Sequence, residues 1–143
     1  MMKKQFHAQR GFTLIEIMVV VAILGLLAAM VVPNLVGRDE EARIAKAKQD
    51  ISALENSLDL YRLDNFAYPS TDQGLDALVK KPSGSPEPKR YKQGGYIKKL
   101  PTDPWGNAYQ YLKPGAHGAT DVYSLGPDQI PSDDDIGSWN LDK

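Results

Sequence analysis

The chain has 143 residues, with 17 Lys and Arg against 18 Asp and Glu and a formal net charge of −1. That is one domain's worth of chain with room for an attached segment, and it supplies no basic field for gripping nucleic acid. With no cysteine and only two histidines, His7 and His117, it has no disulfide framework, Cys-ligated zinc, iron–sulfur cluster, thiol nucleophile or histidine-rich metal site.

Lys3, Lys4 and Arg10 form a short basic leader that ends at Gly11. From Ile17 to Gly37 the chain runs 21 positions without a formal charge. A hydrocarbon core of about 30 Å takes ~20 apolar residues, so this run is long enough to span it. It is longer than the ~7–15 apolar residues of a secretory signal, and no small-x-small cleavage pattern follows. A helix apolar on every face is rarely buried in so small a domain, so the expectation is a membrane anchor. Lys3, Lys4 and Arg10 precede the run with no acid among them, whereas Arg38, Asp39, Glu40, Glu41 and Arg43 follow it. The N-terminus is therefore expected on the cytoplasmic side and everything after about residue 38 outside. Without residues 1–11 the balance is 14 basic against 18 acidic, or −4. Such a body suits a cationic ligand better than an anionic membrane surface.

Thr13-Leu14-Ile15-Glu16 has capping-box spacing, and a carboxylate at a helix start also complements the helix dipole by ~0.3–1 kcal/mol. Drawn into hydrocarbon, the same charge costs roughly 2.5–3.5 kcal/mol, and such residues usually have a charged partner. Both roles are open to Glu16. Pro33-Asn34 removes a helical hydrogen bond and produces either a kink or a loosened stretch.

Beyond Gly37, Ile44, Ile51, Leu54, Leu58 and Tyr61 recur at helical spacing, with Arg43, Lys46, Lys48, Asp50 and Glu55 between them. This predicts an amphipathic helix ending near Asp64-Asn65, ahead of Tyr68-Pro69. One continuous helix over residues 12–64 would measure about 80 Å. Ser70-Thr71-Asp72-Gln73, again with capping-box spacing, opens a short second helix whose apolar face is Leu75, Leu78 and Val79 and whose stop is Pro82. Residues 82–88 read as loop. Residues 82–143 hold eight of the ten prolines and eight of the twelve glycines, yet also both tryptophans and five of the seven tyrosines. Disordered segments rarely supply such aromatics, so a small, loop-rich β region is predicted. Tyr109–Leu112 and Asp121–Leu125 are its best strands, with turns at Gly106-Asn107 and Gly115–Gly118. The predicted class is α+β: long helix, short helix, then two or three short antiparallel strands.

Ser124, His117 and an aspartate can be drawn as a catalytic triad, but no nucleophile elbow or oxyanion hole marks them, and no enzyme activity is expected. Asp128, Asp133, Asp134 and Asp135 fall within eight residues with no Lys or Arg among them. A loop of this kind takes a cation or stays solvated, and its spacing is not that of an EF-hand.

The stretch KKQFHAQRGFTLIEIMVVVAIL resembles the type IV prepilin signal. The resemblance implies cleavage between Gly11 and Phe12 by a prepilin peptidase/methyltransferase, N-methylation of Phe12 and retention of the apolar run. It also implies pairing of Glu16 with the N-terminal amine of a neighbouring subunit. YPSTDQGLDALV (68–79), LPTDPWGNAY (100–109) and YSLGPD (123–128) are similar, more narrowly, to the major pseudopilins of type II secretion systems. The lack of cysteine agrees, because many adhesive pilins close a C-terminal loop with a disulfide. Together these segments cover nearly the whole chain.

That family implies a type IV pilin-like fold, a long N-terminal helix packed on a small antiparallel sheet with a loop-rich C-terminus. It divides the chain into a cleaved leader (1–11), a transmembrane and assembly segment (12–37) and a periplasmic globular domain (38–143). The implied role is structural. Anchored in the inner membrane by a single span, the subunit polymerises with its copies and with minor pseudopilins on an inner-membrane assembly platform. The resulting periplasmic pseudopilus promotes export of folded proteins through the outer membrane. The rival is a type IV pilus subunit for adhesion, motility or DNA uptake. The resemblance further implies calcium in the C-terminal loop, held by the Asp128 and Asp135 carboxylates and the Leu125 carbonyl. The Ile130 carbonyl and Asp133 are weaker members, since the family loop usually carries more glycines where this one has Ile130-Pro131.

Overall fold

The computed structural model describes residues 11–142, excepting the side chains of 31–36. The leader cations Lys3, Lys4 and Arg10, and the side chains of Pro33 and Asn34, therefore lie outside the described residues. Helix α1 runs Leu14–Asn65 and is assigned without interruption across residue 33. The chain divides into two compact units, one up to Asp39 and one from Glu40 onward.

In the first unit the apolar side chains face outward all round the helix, from Phe12 (83% exposed) and Leu14 (80%) to Leu26 (69%) and Met30 (72%). Among the described residues no helix is long and apolar enough to cross a membrane. The span expected over 12–37 includes residues 31–36, whose side chains lie outside the described residues. Within the first unit the described apolar stretch of α1 is therefore Leu14 to Met30, short of the ~20 residues that a hydrocarbon core takes.

In the second unit the face expected from the spacing is the buried one. Ala47, Ile51, Leu54, Leu58 and Tyr61 are all at 2% exposure or less, each large apolar side chain contributing roughly 1.5–3 kcal/mol. The helix ends at Asn65, where the Phe66 N–H donates to the Arg62 carbonyl at 2.7 Å. The buried Asn65 amide donates to the Tyr61 carbonyl (2.9 Å) and the Tyr96 hydroxyl (3.0 Å), and its oxygen accepts the Arg90 N–H (3.0 Å). That side chain ties the 90–96 segment to the helix end, where the rings of Tyr61, Tyr91 and Tyr96 pack edge to face or tilted.

The second capping box forms: the Gln73 N–H donates to Ser70 Oγ (3.2 Å), and the Ser70 N–H donates to Gln73 Oε1 (2.9 Å). The helix that follows is shorter than expected, a single 3-10 turn over Leu75–Leu78. Gly74, at φ 61, separates the box from the apolar residues and breaks the run. Strands β1 (Gln110–Leu112), β2 (Asp121–Ser124) and β3 (Ile136–Gly137) form one antiparallel sheet in that order. Gln110 lies opposite Tyr123 and Ser124 opposite Ile136. Tyr109, Tyr111, Val122 and Ile136 join the helix residues in the core. The Tyr109 hydroxyl donates to Asp50 Oδ2 (2.9 Å) and the Tyr111 hydroxyl to the Pro69 carbonyl (2.8 Å), which fixes the sheet to the helical segments. The α+β order predicted from the sequence is the one found.

Candidate assembly segment and cation loop

Gly11 and Phe12 precede the helix and are exposed, and nothing lies within 4 Å of a side chain placed on Gly11. Thr13 and Glu16 close the capping box that their spacing allows. The Glu16 N–H donates to Thr13 Oγ1 (3.3 Å) and the Thr13 N–H donates to Glu16 Oε2 (3.0 Å). Within one chain, then, Glu16 caps α1 from a solvent-exposed position.

The C-terminal loop separates its four aspartates. Asp128, Asp133 and Asp134 are exposed, whereas Asp135 is 7% exposed. Asp128 Oδ1 accepts the Ile130 N–H at 3.2 Å, and the Ser132 hydroxyl donates to Asp134. Asp135 Oδ1 is buried without a hydrogen-bond partner. Burial pushes the Asp135 carboxyl up, the Ser132 N–H pulls it back, and the charges of Asp134 and Asp128 add to the rise. Among the described residues no three His, Cys, Asp or Glu side chains are grouped to hold a metal ion. The set expected from the sequence (Leu125, Asp128, Ile130, Asp133, Asp135) is thus not gathered as a carboxylate cluster, because Asp128 and Asp133 turn to solvent while Asp135 is buried. The orphaned Asp135 oxygen still fits a hard cation, since calcium takes carbonyl oxygens alongside carboxylates. Asp133 and Asp135 line a cavity of about 390 Å³ together with Ser132, Tyr123, His117 and Trp139.

Two further buried carboxylates escaped the sequence reading. Asp103 accepts the Asn107 N–H (2.7 Å), the Trp105 N–H (3.1 Å) and the Ser124 hydroxyl (2.7 Å). Asp121 accepts the Ala116 N–H (2.7 Å) and His117 N–H (3.1 Å) and lies 3.0 Å from His117 Nδ1. The His117 ring stacks on Trp139 at 3.9 Å. Ser124 and His117 are thus engaged by different aspartates and do not converge as a triad. Asp103-Pro104-Trp105-Gly106 carries the one available signal, an aspartate two residues before the amide it accepts, as in an Asx-turn.

A capped N-terminal helix whose second half is covered by a small antiparallel sheet defines a type IV pilin-like subunit. The model of the prokaryotic N-terminal methylation motif matches residues 6–32, and that of Type II secretion system (T2SS), protein G matches residues 34–139. The chain belongs to that protein G family. It is 61% identical over 138 residues to the Type II secretion system core protein G of Pectobacterium carotovorum subsp. carotovorum, covering 96% of this chain and 88% of the relative. It is 59% identical over 140 residues to the core protein G of Pseudomonas aeruginosa, covering 95% and 99%. The crystal structure of the major pseudopilin from the type 2 secretion system of enterohaemorrhagic Escherichia coli superposes with a TM-score of 0.70 at 55% identity. It covers 76% of this chain and 96% of that one. These similarities favour the secretion subunits over the adhesion, motility and DNA-uptake pili that share the prepilin signal.

Proposed function

We propose that the chain is the major structural subunit of a type II secretion pseudopilus, polymerising in the periplasm to promote export of folded proteins through the outer membrane. The observation that carries this is a compact body of the protein G family attached to a helix apolar on every face and exposed throughout its described part. The subunit acts as a building block and not as an enzyme. Its partners are its own copies, minor pseudopilins, the prepilin peptidase/methyltransferase and an inner-membrane assembly platform. The segment 12–37 anchors it in the inner membrane by a single pass, with residues 38–143 in the periplasm. Deleting the gene should abolish secretion of folded exoproteins and leave twitching and transformation intact; the reverse outcome would establish the pilus alternative.

Processing takes place between Gly11 and Phe12, where the backbone is accessible, and Phe12 is then N-methylated. The mass of the mature N-terminus reports cleavage and methylation together. Gly11→Val should leave an unprocessed precursor, and a normal mature mass from that variant would refute the assignment.

Calcium binds the C-terminal loop through the Asp128 and Asp135 carboxylates and the Leu125 carbonyl, with the Ile130 carbonyl and Asp133 as further members. The unpartnered buried oxygen of Asp135 supports this. Bound calcium would supply the positive charge that this carboxylate lacks and would order the loop. Binding only the folded state raises stability with free calcium. Thermal melting of the full chain in detergent should shift down on chelation in wild type but not in Asp128→Ala or Asp135→Ala. An unchanged wild-type melting temperature would sink the site.

A further inference from the structure

The end of α1 carries an apolar ridge that the chain leaves open. Leu60, Leu63 and Phe66 are 54%, 72% and 68% exposed; Leu60 and Leu63, three apart, are neighbours on the helix surface, and Phe66 directly follows the helix end at Asn65. Leu63 and Phe66, with Asp59 and Arg62, line a groove of about 630 Å³. Phe66 sits at φ 64, a left-handed position that glycine takes freely and a bulky side chain resists. An aromatic held there in solvent gains little from its own fold, and strain of this kind points to use between molecules. Two arginines frame the ridge: Arg90 stands 6.0 Å over the Phe66 ring and Arg62 stands 5.1 Å over the Tyr68 ring. Arg62 donates to the Tyr68 hydroxyl (3.3 Å) and feels the charge of Asp59, whereas Arg90 makes no ion pair among the described residues.

A complementary surface lies elsewhere on the same chain. Ile130 is 62% exposed, with Asp128 before it and the exposed pair Asp133-Asp134 after it. Its neighbour Gln129, at φ 57, is the one other non-glycine residue at positive φ among the described residues. An apolar ridge framed by arginines and an apolar knob framed by aspartates match in both chemistry and charge.

We propose that the ridge of one copy receives the 128–134 loop of a second copy. Ile130 seats against Leu63 and Phe66, and Asp134, which is outside the calcium set, faces Arg90. This rests on the reading of the chain as a homopolymer. A contact between two different surfaces of identical chains is heterologous, and where its rotation does not close a ring it extends into a filament. The apolar centre carries the energy while the charges set register and partner choice.

The natural chain lacks cysteine, so proximity can be read by disulfide trapping in full-length chains. Leu63→Cys and Ile130→Cys chains with different tags are co-expressed in secreting cells and oxidised in the membrane. Mixed-tag dimers should exceed like-tag dimers about tenfold, and Arg90→Glu in the Leu63→Cys chain should remove that excess. Adding Asp134→Lys to the Ile130→Cys chain should restore it. Phe66→Gly should lower the mixed dimer without lowering the urea midpoint; a lowered midpoint would mark Phe66 as a structural residue and count against the contact. Equal like and mixed yields from chains that still form filaments in electron micrographs would overturn the contact and leave the homopolymer standing. Absence of filaments from the wild-type chain would overturn the homopolymer and the contact with it.

Discussion

The two halves of α1 share one backbone geometry and place opposite demands on their surroundings. Between Leu14 and Met30 nearly every position is apolar and every described side chain is exposed. Between Ala47 and Tyr61 the apolar residues occupy one face, and that face is buried. Periodicity, more than hydrophobicity, thus separates what a chain covers by itself from what it leaves for other molecules. A 3.6-residue stripe can be closed by one sheet, whereas a helix apolar all round needs lipid or copies of itself.

That contrast breaks most visibly at Leu58. Leu58→Ala should cost ~2–5 kcal/mol through lost burial and the cavity left behind. Leu24→Ala, in the exposed half, should stay within ~0.5 kcal/mol in the same urea unfolding of the detergent-solubilised chain. Its deficit should appear instead in multimer formation. Equal losses of stability in the two variants would show that the first half has a cover within its own chain.

A buried polar residue gives the next effect. Asp103→Ala leaves the Trp105 and Asn107 amides and the Ser124 hydroxyl without their acceptor, at ~1–3 kcal/mol. Asp103→Asn keeps one acceptor oxygen and should lose less. The measurement is again the urea midpoint, and an unperturbed Asp103→Ala would show that water replaces the carboxylate.

What the sequence made legible follows the same division. The buried helix face, the end of α1 at Asn65, both capping boxes and the region of β1 and β2 were readable, because each is announced by a pattern of residues a few positions apart. The second helix was overestimated, since Gly74 adopts a positive φ that spacing does not announce. Strand β3 is only two residues long and carries almost no periodic signal. Asp103 and Asp121 were invisible as core residues, because an aspartate is ordinarily exposed and Ser124 is 21 positions from Asp103. In the C-terminal loop four aspartates look alike in sequence, and only the fold singles out Asp135 as the buried one. Glu16 shows the opposite limit: its cap was readable from spacing, whereas any partner on another chain is beyond a single chain's geometry.

The tyrosines that join the sheet to the helical segments bring in pH. Burial first, then hydrogen bonding to Asp50, pushes the Tyr109 hydroxyl up, and burial does the same for Tyr111. Their folded values lie above the unfolded value of about 10. The stability they contribute is therefore fully present below about pH 10 and is lost as pH rises through the folded values. The urea midpoint should show no tyrosine-linked change between roughly pH 7 and 9 and should fall above about 10. Tyr111→Phe should cost about 1 kcal/mol at neutral pH, by leaving the Pro69 carbonyl unpaired, and should soften the alkaline fall. An alkaline fall of wild-type steepness in Tyr111→Phe would assign the effect to other groups.

The smallest effect on stability falls at the start of α1, where it discriminates most sharply between a residue used within the chain and one used between chains. Thr13 and Glu16 contribute to the same capping box, so Thr13→Ala and Glu16→Ala should each cost ~0.5–1 kcal/mol of local helix stability. Hydrogen exchange of the first helical amides measures this. If capping is the whole role of Glu16, the two variants behave alike in every assay, and Glu16→Gln, which keeps an acceptor for the Thr13 N–H, behaves as wild type. If Glu16 also pairs with the Phe12 amine of a neighbour, the charge itself matters. Glu16→Gln then retains the exchange protection of the cap and loses multimers, whereas Thr13→Ala loses protection and keeps them. Crosslinking of the full-length chains in membranes separates the two patterns, and undiminished multimers in Glu16→Gln would confine Glu16 to the cap.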